Sequence, residues 1–95
     1  MSNTRNRKPT VTITHSLIAD QPFPVQVQRG EAEAYGLSVN TFHGKRLMRL
    51  LRMADGHGSA VWCCHPHNEG ITSLWSGRGA TAQAAVDAAI KRLAV

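Results

Sequence analysis

Alternating apolar and polar residues in the first third of the chain predict short strands. Residues 10–19 interleave Val, Ile and Leu with Thr, His and Ser, and residues 25–29 interleave Val with Gln and Arg. A spacing of two residues is typical of a strand with one buried face. Residues 20–24 contain two prolines. Proline cannot donate to a strand ladder, so we expect a break between the two strands.

Turn-forming residues divide the rest of the chain into segments of ordinary strand length. Glycine-containing turns are expected at 43–44, 55–58, 67–70 and 76–79. Such regular spacing predicts consecutive antiparallel strands, which form a meander. The predicted strands cover residues 35–42, 45–54, 59–65 and 71–76.

The segment 45–53 carries two conflicting signals. Its basic residues Lys45, Arg46, Arg49 and Arg52 fall in one arc of about 120° on a helical wheel, which favours a basic amphipathic helix. The turn signals on either side favour a hairpin strand instead. We interpret the segment as a strand, because the turn spacing then treats all four segments alike. In either structure the arginines are expected to face mostly solvent.

The pattern changes to helical spacing in the alanine-rich segment 81–95. Alanine is the best helix former, and Thr81 can cap the first turn. Lys91 and Arg92 suit the negative end of the helix dipole. Apolar residues recur at helical spacing and define one buried stripe, namely Ala82, Ala85, Val86, Ala89, Ile90 and Leu93.

These elements predict an α+β fold, with an antiparallel β-sheet meander packed against a single C-terminal α-helix. A chain of 95 residues has room for one domain. We expect residues 1–9 to form a flexible basic arm and residues 10–95 to form the domain. The sequence shows no secretory signal and no apolar run long enough for a membrane span. A free sheet edge leaves homodimerisation open.

Positive charge is concentrated in two patches. One consists of Arg5, Arg7 and Lys8, and the other of Lys45, Arg46, Arg49 and Arg52. Eleven Lys and Arg face six Asp and Glu, giving a net charge of +5. Basic patches attract polyanions, although a solvated face is the plainer alternative. Arg78 adds a cation at the predicted start of the helix, where free backbone N–H groups also favour anions. The candidate partner- or nucleic-acid-binding residues are Arg5, Arg7, Lys8, Lys45, Arg46, Arg49, Arg52 and Arg78.

The densest set of reactive side chains is the run Cys63-Cys64-His65-Pro66-His67. Its spacing does not match that of structural zinc sites, and neighbouring strand residues point to opposite faces. We therefore expect no metal and no cofactor, although a site of two or three ligands stays open. Adjacent cysteines rarely bridge, which favours a reducing cytoplasm. No catalytic motif is present, so we expect no enzyme.

The format of the chain resembles that of a known class of small proteins. The chain is short, its strands form a predicted meander, and it has no catalytic motif. The segment Gly77-Arg-Gly-Ala-Thr81 opens an alanine-rich helix. In these features the chain resembles small α+β proteins encoded by phages and prophages, including anti-CRISPR proteins. The resemblance implies an inhibitor of a bacterial defence system. It is one of format, since fold alone does not fix function.

Two functions remain open from the sequence. The first is a non-enzymatic inhibitor or adaptor that engages a protein or nucleoprotein complex through a basic face. The second is direct binding of DNA or RNA, with the arginine clusters on phosphates. At least one of Trp62 and Trp75 is expected in the core beside Phe42. A tryptophan left exposed beside an arginine would serve either function as a contact surface.

Overall fold

The structure is a computed structural model that describes residues 11–53, 61–70 and 73–93. Within these ranges the chain forms five strands followed by one helix. The strands are β1 (Ile18–Pro24), β2 (Glu31–Thr41), β3 (Gly44–Met53), β4 (Trp62–Pro66) and β5 (Gly77–Gly79), and the helix is α1 (Ala82–Leu93). The predicted arm of residues 1–9 lies outside the described residues.

The strands form one antiparallel sheet in the order β1-β2-β3-β4-β5. Each strand pairs with its neighbour in sequence, which makes the sheet a meander, and α1 packs on one face of it. The prediction of an α+β fold with a single C-terminal helix is therefore confirmed. None of the described segments forms a helix with the length and apolarity needed to cross a membrane.

The β2–β3 hairpin is the longest element of the sheet. Thr41 pairs with Gly44 across the turn of Phe42 and His43. Gly44 has a φ of +109°, a backbone conformation that other residues rarely adopt. The strand interpretation of residues 45–53 is confirmed. The alternation is blurred because β3 is buried on both faces, with Leu50 in the core beneath α1 and Leu51 on the other side.

The helix begins as the sequence predicts. Thr81 Oγ1 accepts a hydrogen bond from the Ala84 N–H at 3.1 Å, as expected of an N-cap. The apolar stripe packs on the sheet, with Ala82, Ala85, Val86, Ala89 and Ile90 buried and Leu93 partly buried. The last two residues of the predicted helix, 94–95, lie outside the described residues.

Small residues let α1 approach the sheet closely. A Cβ added to Gly77 would lie 2.3 Å from the backbone nitrogen of Ala89 and 2.5 Å from the carbonyl oxygen of Ala85. A Cβ on Gly79 would meet the Cβ of Ala84 at 2.5 Å. The helix backbone therefore rests directly on β5, and no side chain separates them.

The edges of the sheet differ from the sequence prediction. Residues 11–17 are not in a strand, and β1 instead continues through Pro22 and Pro24. The predicted break is wrong because β1 is an edge strand, where proline is tolerated. Residues 25–29 connect β1 to β2 and are not the predicted strand.

The last strand also lies later in the chain than predicted. Residues 73–76 form a turn, and the strand is the Gly77–Gly79 segment that the sequence assigned to a turn. Its glycines suit a close approach to the helix, and the same residues are typical of turns. Residues 54–60 and 71–72, which belong to predicted strands and turns, lie outside the described residues.

We expect Gly77→Ala to destabilise the protein by about 3 kcal/mol, because the new methyl group would collide with helix backbone that has no room to move. Chemical denaturation of the wild type and the variant measures the difference. Gly70→Ala is the matched control, since nothing lies within 4 Å of a Cβ at Gly70. Its effect should stay within about 0.5 kcal/mol. Equal stability of the two variants would contradict the close helix–sheet contact.

Candidate binding surface

The basic residues of β3 do not share one face of the sheet. Successive strand residues point to opposite sides. Lys45 and Arg49 therefore lie on the side away from α1, and Arg46 and Arg52 lie on the α1 side, flanking the core. Arg49 is only 8% exposed. The expectation that these arginines face solvent is wrong for Arg49, because the connection between β1 and β2 covers it.

The Arg49 side chain forms a buried ion pair with Glu31. Its Nη2 donates to Glu31 Oε1 and to the backbone carbonyl of Gln26, the latter at 3.0 Å. Glu31 Oε1 also accepts the backbone N–H of Gln28 at 2.8 Å. Both charged groups are therefore satisfied, and together they fasten the β1–β2 connection to the sheet.

The other three basic residues of β3 also have carboxylate partners that lie far away in sequence. These pairs are more exposed than the Arg49 pair and so contribute less to stability. They are Arg52 with Glu33 at 2.6 Å, Arg46 with Glu69 at 3.7 Å and Lys45 with Asp20 at 3.9 Å.

These four pairs use four of the six carboxylates of the protein. They offset the positive patch that the sequence alone shows on residues 45–52, so this patch offers less free charge to phosphates. Within the described ranges, four exposed cations have no carboxylate in ion-pair range, namely Arg29, Arg78, Lys91 and Arg92. The predicted binding residues Arg5, Arg7 and Lys8 lie outside the described residues.

The segment 73–76 presents Trp75 at the surface. The Ser73 hydroxyl accepts a hydrogen bond from the backbone N–H of Trp75 at 3.0 Å and donates one to Glu69 Oε1 at 2.6 Å. These two bonds fix the turn. The Trp75 residue stays 39% exposed, and the Arg46 guanidinium lies 5.7 Å from its ring centroid. This distance is within the range of a cation–π interaction. Trp75 is thus the exposed tryptophan, while Trp62 packs against the core beside Tyr35.

A groove of about 370 Å³ opens where the end of α1 meets the end of β2. Its walls are mainly apolar and include Leu17, Val39, Ile90 and Leu93. Phe42 stands at its rim and is 96% exposed. The expectation that Phe42 belongs to the core is wrong, because it occupies the tip of the hairpin.

The groove and the Trp75 turn belong to the same end of the molecule. Val39 lines the groove and pairs across the hairpin with Arg46, which lies against Trp75. On the helix side, Arg92 Nη1 donates to the backbone carbonyl of Leu74. The Leu74 residue is 81% exposed. We call the surface formed by Phe42, Arg46, Leu74, Trp75 and Arg92, together with the groove, the aromatic end.

Sequence reasoning missed three members of the aromatic end. The sequence places Leu74 in a strand and Phe42 in the core, and it gives Arg92 a role only at the end of the helix dipole. The available signal was the position of Phe42 directly before the His43-Gly44 turn, since hairpin tips are exposed. No comparable local signal marks Leu74, whose exposure follows from the later start of β5.

The two cysteines and the one histidine of β4 do not converge on one site. Cys64 faces the core beneath α1, while Cys63 and His65 face the other side of the sheet. Burial raises the pKa of Cys63, and it raises the pKa of Cys64 to about 12, so both thiols stay protonated near neutral pH. Neither cysteine forms a disulfide. The described part of the chain contains no group of three or more metal-ligating side chains.

A second polar cluster lies at the opposite end of the hairpin. The Tyr35 hydroxyl donates to Glu33 Oε1 at 2.6 Å, and Arg52 Nε donates to Glu33 Oε2 at 2.6 Å. Both hydrogen bonds lower the pKa of Glu33, and the bond from Tyr35 has the larger effect. Burial, together with the hydrogen bond to Glu33, raises the pKa of Tyr35 to about 12. The cluster ties β2 to β3 and is satisfied within itself.

We expect Arg49→Met to lower the free energy of unfolding by about 3–5 kcal/mol, because it leaves the Glu31 carboxylate buried without its cation. The double variant Arg49→Met/Glu31→Gln should lose much less, since no unpaired charge remains. Lys45→Met, which breaks the exposed pair with Asp20, should cost less than about 1 kcal/mol. Denaturation curves of the variants measure these differences, and equal losses for Arg49→Met and Lys45→Met would refute the buried pair.

Tyr35 is the single tyrosine of the chain, so its ionisation can be followed alone by ultraviolet absorbance. We expect the folded protein to titrate near pH 12, against the ordinary value of 10.0. Because folding raises this pKa, the stability that Tyr35 contributes is complete below pH 10 and is lost as the pH rises towards 12. Glu33→Gln should move the titration part of the way back. An unchanged midpoint in that variant would contradict the hydrogen bond.

Comparison with known proteins adds no assignment to this geometry. No family model, curated protein or solved structure matches the chain.

Proposed function

We propose that the protein is a non-enzymatic binding protein that engages a protein partner through the aromatic end. The observation that carries the proposal is the exposure of Phe42 at the rim of an apolar groove, with Leu74 and Trp75 exposed at the same end of the molecule. Exposed aromatic residues beside an arginine are the side chains that dominate binding energy in protein interfaces. A solvated surface has no need for three large apolar groups at one end.

The partner is inferred from the chemistry of the aromatic end. The groove between Leu17, Ile90 and Leu93 fits an apolar side chain. Arg92 precedes Leu93 in the helix, is exposed and has no carboxylate in ion-pair range within the described ranges, so it fits an acidic group of the partner. The proposed partner is a protein surface with an apolar residue flanked by carboxylates.

A more specific role is proposed from the small size of the chain and its single α+β domain. A short domain built around a binding surface suits an inhibitor or adaptor of the phage-encoded, anti-CRISPR type, acting in a cytoplasm on a protein or nucleoprotein complex. The two free cysteines support a reducing compartment. Homodimerisation through a sheet edge is compatible with this role.

Direct nucleic-acid binding is the second candidate, and one observation favours it. Trp75 lies exposed with the Arg46 guanidinium over its ring, and such a pair can stack on an unpaired base. The pairing of Arg49 and Arg52 with carboxylates weighs against broad phosphate contact, because those charges are already offset. We therefore rank the protein partner first.

The test begins with the full-length protein as bait in bacterial lysate, with and without nuclease treatment. The captured partner is then purified and titrated by calorimetry against the wild type and two variants, Trp75→Ala and Phe42→Ala. Each variant should weaken binding by at least about tenfold, because each removes an exposed aromatic group from the contact. Val27→Ala, which truncates an exposed apolar residue of the β1–β2 connection, is the matched control.

Two results would count against the proposal. One is partner binding that is equally strong with Trp75→Ala, Phe42→Ala and Val27→Ala. The other is submicromolar binding of labelled DNA or RNA at physiological salt that is lost in Trp75→Ala, which would establish the second candidate. Weak binding that disappears as salt rises is the nonspecific attraction expected of any basic protein.

A further inference from the structure

The segment before β1 is extended but belongs to no strand of the sheet. In residues 11–14, Val11 and Ile13 turn inward while Thr12 and Thr14 are exposed. This alternation is that of a β-strand. Ile13 is 1% exposed and belongs to the main core, and Val11 packs against it. The segment is thus bound to the domain as a strand would be, although no strand pairs with it among the described residues.

Two glutamine side chains take the place of neighbouring strands. The Ile13 N–H donates to Gln21 Oε1 at 2.9 Å, and Gln21 Nε2 donates to the Ile13 carbonyl at 2.9 Å. The next residue repeats the arrangement on the other side. The Thr14 N–H donates to Gln83 Oε1 at 2.9 Å, and Gln83 Nε2 donates to the Thr14 carbonyl at 2.9 Å.

This arrangement is a way of binding an extended main chain. A carboxamide carries a donor and an acceptor side by side, so one glutamine satisfies both backbone groups of one residue. Such contacts do not depend on the side chain of the bound residue. Selectivity comes mainly from the apolar position that Ile13 fills, with Val11 packed against the same core. Main-chain hydrogen bonds combined with alternate side-chain pockets are how proteins bind extended peptides.

The geometry points to a peptide-binding site formed by Gln21, Gln83 and the apolar pocket of Ile13, which the chain's own residues 11–14 fill. Its ligand is an extended segment with a branched aliphatic side chain at the Ile13 position and a free N–H and C=O on that residue and the next. The site is separate from the aromatic end and does not rest on the proposed function. An equivalent segment from another chain binds whenever the chain's own segment leaves.

The test uses a labelled peptide of the sequence Thr-Val-Thr-Ile-Thr-His-Ser, which copies residues 10–16, and the full-length protein. Ile13→Ala weakens the chain's own occupant and leaves both glutamines in place. The apparent affinity of a site rises with the fraction of molecules in which it is open. We expect the peptide to bind Ile13→Ala at least about tenfold more tightly than the wild type.

Two controls separate this site from general exposure of the core. Ile18→Ala truncates another isoleucine that packs against the core and should give no gain in peptide binding. A peptide with proline at the Thr14 position lacks the N–H that Gln83 accepts, so it should bind Ile13→Ala about tenfold less tightly. A folded Ile13→Ala protein that binds the peptide no better than the wild type would overturn the proposal.

Native-state hydrogen exchange gives a second measurement, which holds even where Ile13→Ala does not fold. In the wild type, the Ile13 and Thr14 amides should exchange at least about tenfold faster than those of Leu37 and Leu50, because the segment opens on its own. Gln83→Ala should accelerate Thr14 further, and the control Gln28→Ala should not. Exchange of Ile13 and Thr14 as slow as that of Leu37 would overturn the proposal, since the site would then open only on global unfolding.

Discussion

The direct contact between the α1 backbone and β5 is the constraint on which the rest of the structure depends. At Gly77 the backbone of Ala85 and Ala89 lies so close that no side chain would fit. The helix therefore lies low over β4 and β5 and covers only part of the sheet face. Its last turn reaches the end of β2, where Ile90 and Leu93 leave a groove. The position of the candidate surface thus follows from small residues in the first turns and the middle of the helix.

The sequence predicts those parts of the fold that local patterns determine. The Ala-rich segment carries its cap at Thr81 and its apolar stripe within a few residues, so the helix is readable directly. The hairpin turn at His43-Gly44 is likewise a local signal. The edges of the sheet have no such local signal. Pro22 and Pro24 are compatible with a strand only because β1 is an edge, and the Gly77–Gly79 segment is a strand only because a helix rests on it.

The candidate site was less predictable than the fold, because its chemistry depends on contacts between distant residues. Arg49 lies 18 residues from Glu31, and Arg52 lies 19 residues from Glu33. In sequence the basic cluster has no acidic neighbour, whereas in the sheet the hairpin register sets Glu33 opposite Arg52, and the side chain of Glu31 at the start of β2 reaches Arg49. Composition correctly gives the net charge, but it does not say which charges remain free. What remains exposed at the end of the hairpin is mainly aromatic and aliphatic.

Leu17 connects the two candidate sites physically. It lines the groove of the aromatic end, and it lies in the turn that follows the bound segment around Ile13. Its N–H donates to His15 Nδ1, and its carbonyl accepts the N–H of Asn40 at 2.7 Å. The same helix also serves both sites, with Gln83 in its first turn and Leu93 at its end, about 15 Å apart along the axis. His15 directly follows the bound segment, so one short turn joins that segment to a wall of the groove. The two sites therefore adjoin at Leu17, although Gln21, Gln83 and Ile13 are not among the residues that line the groove.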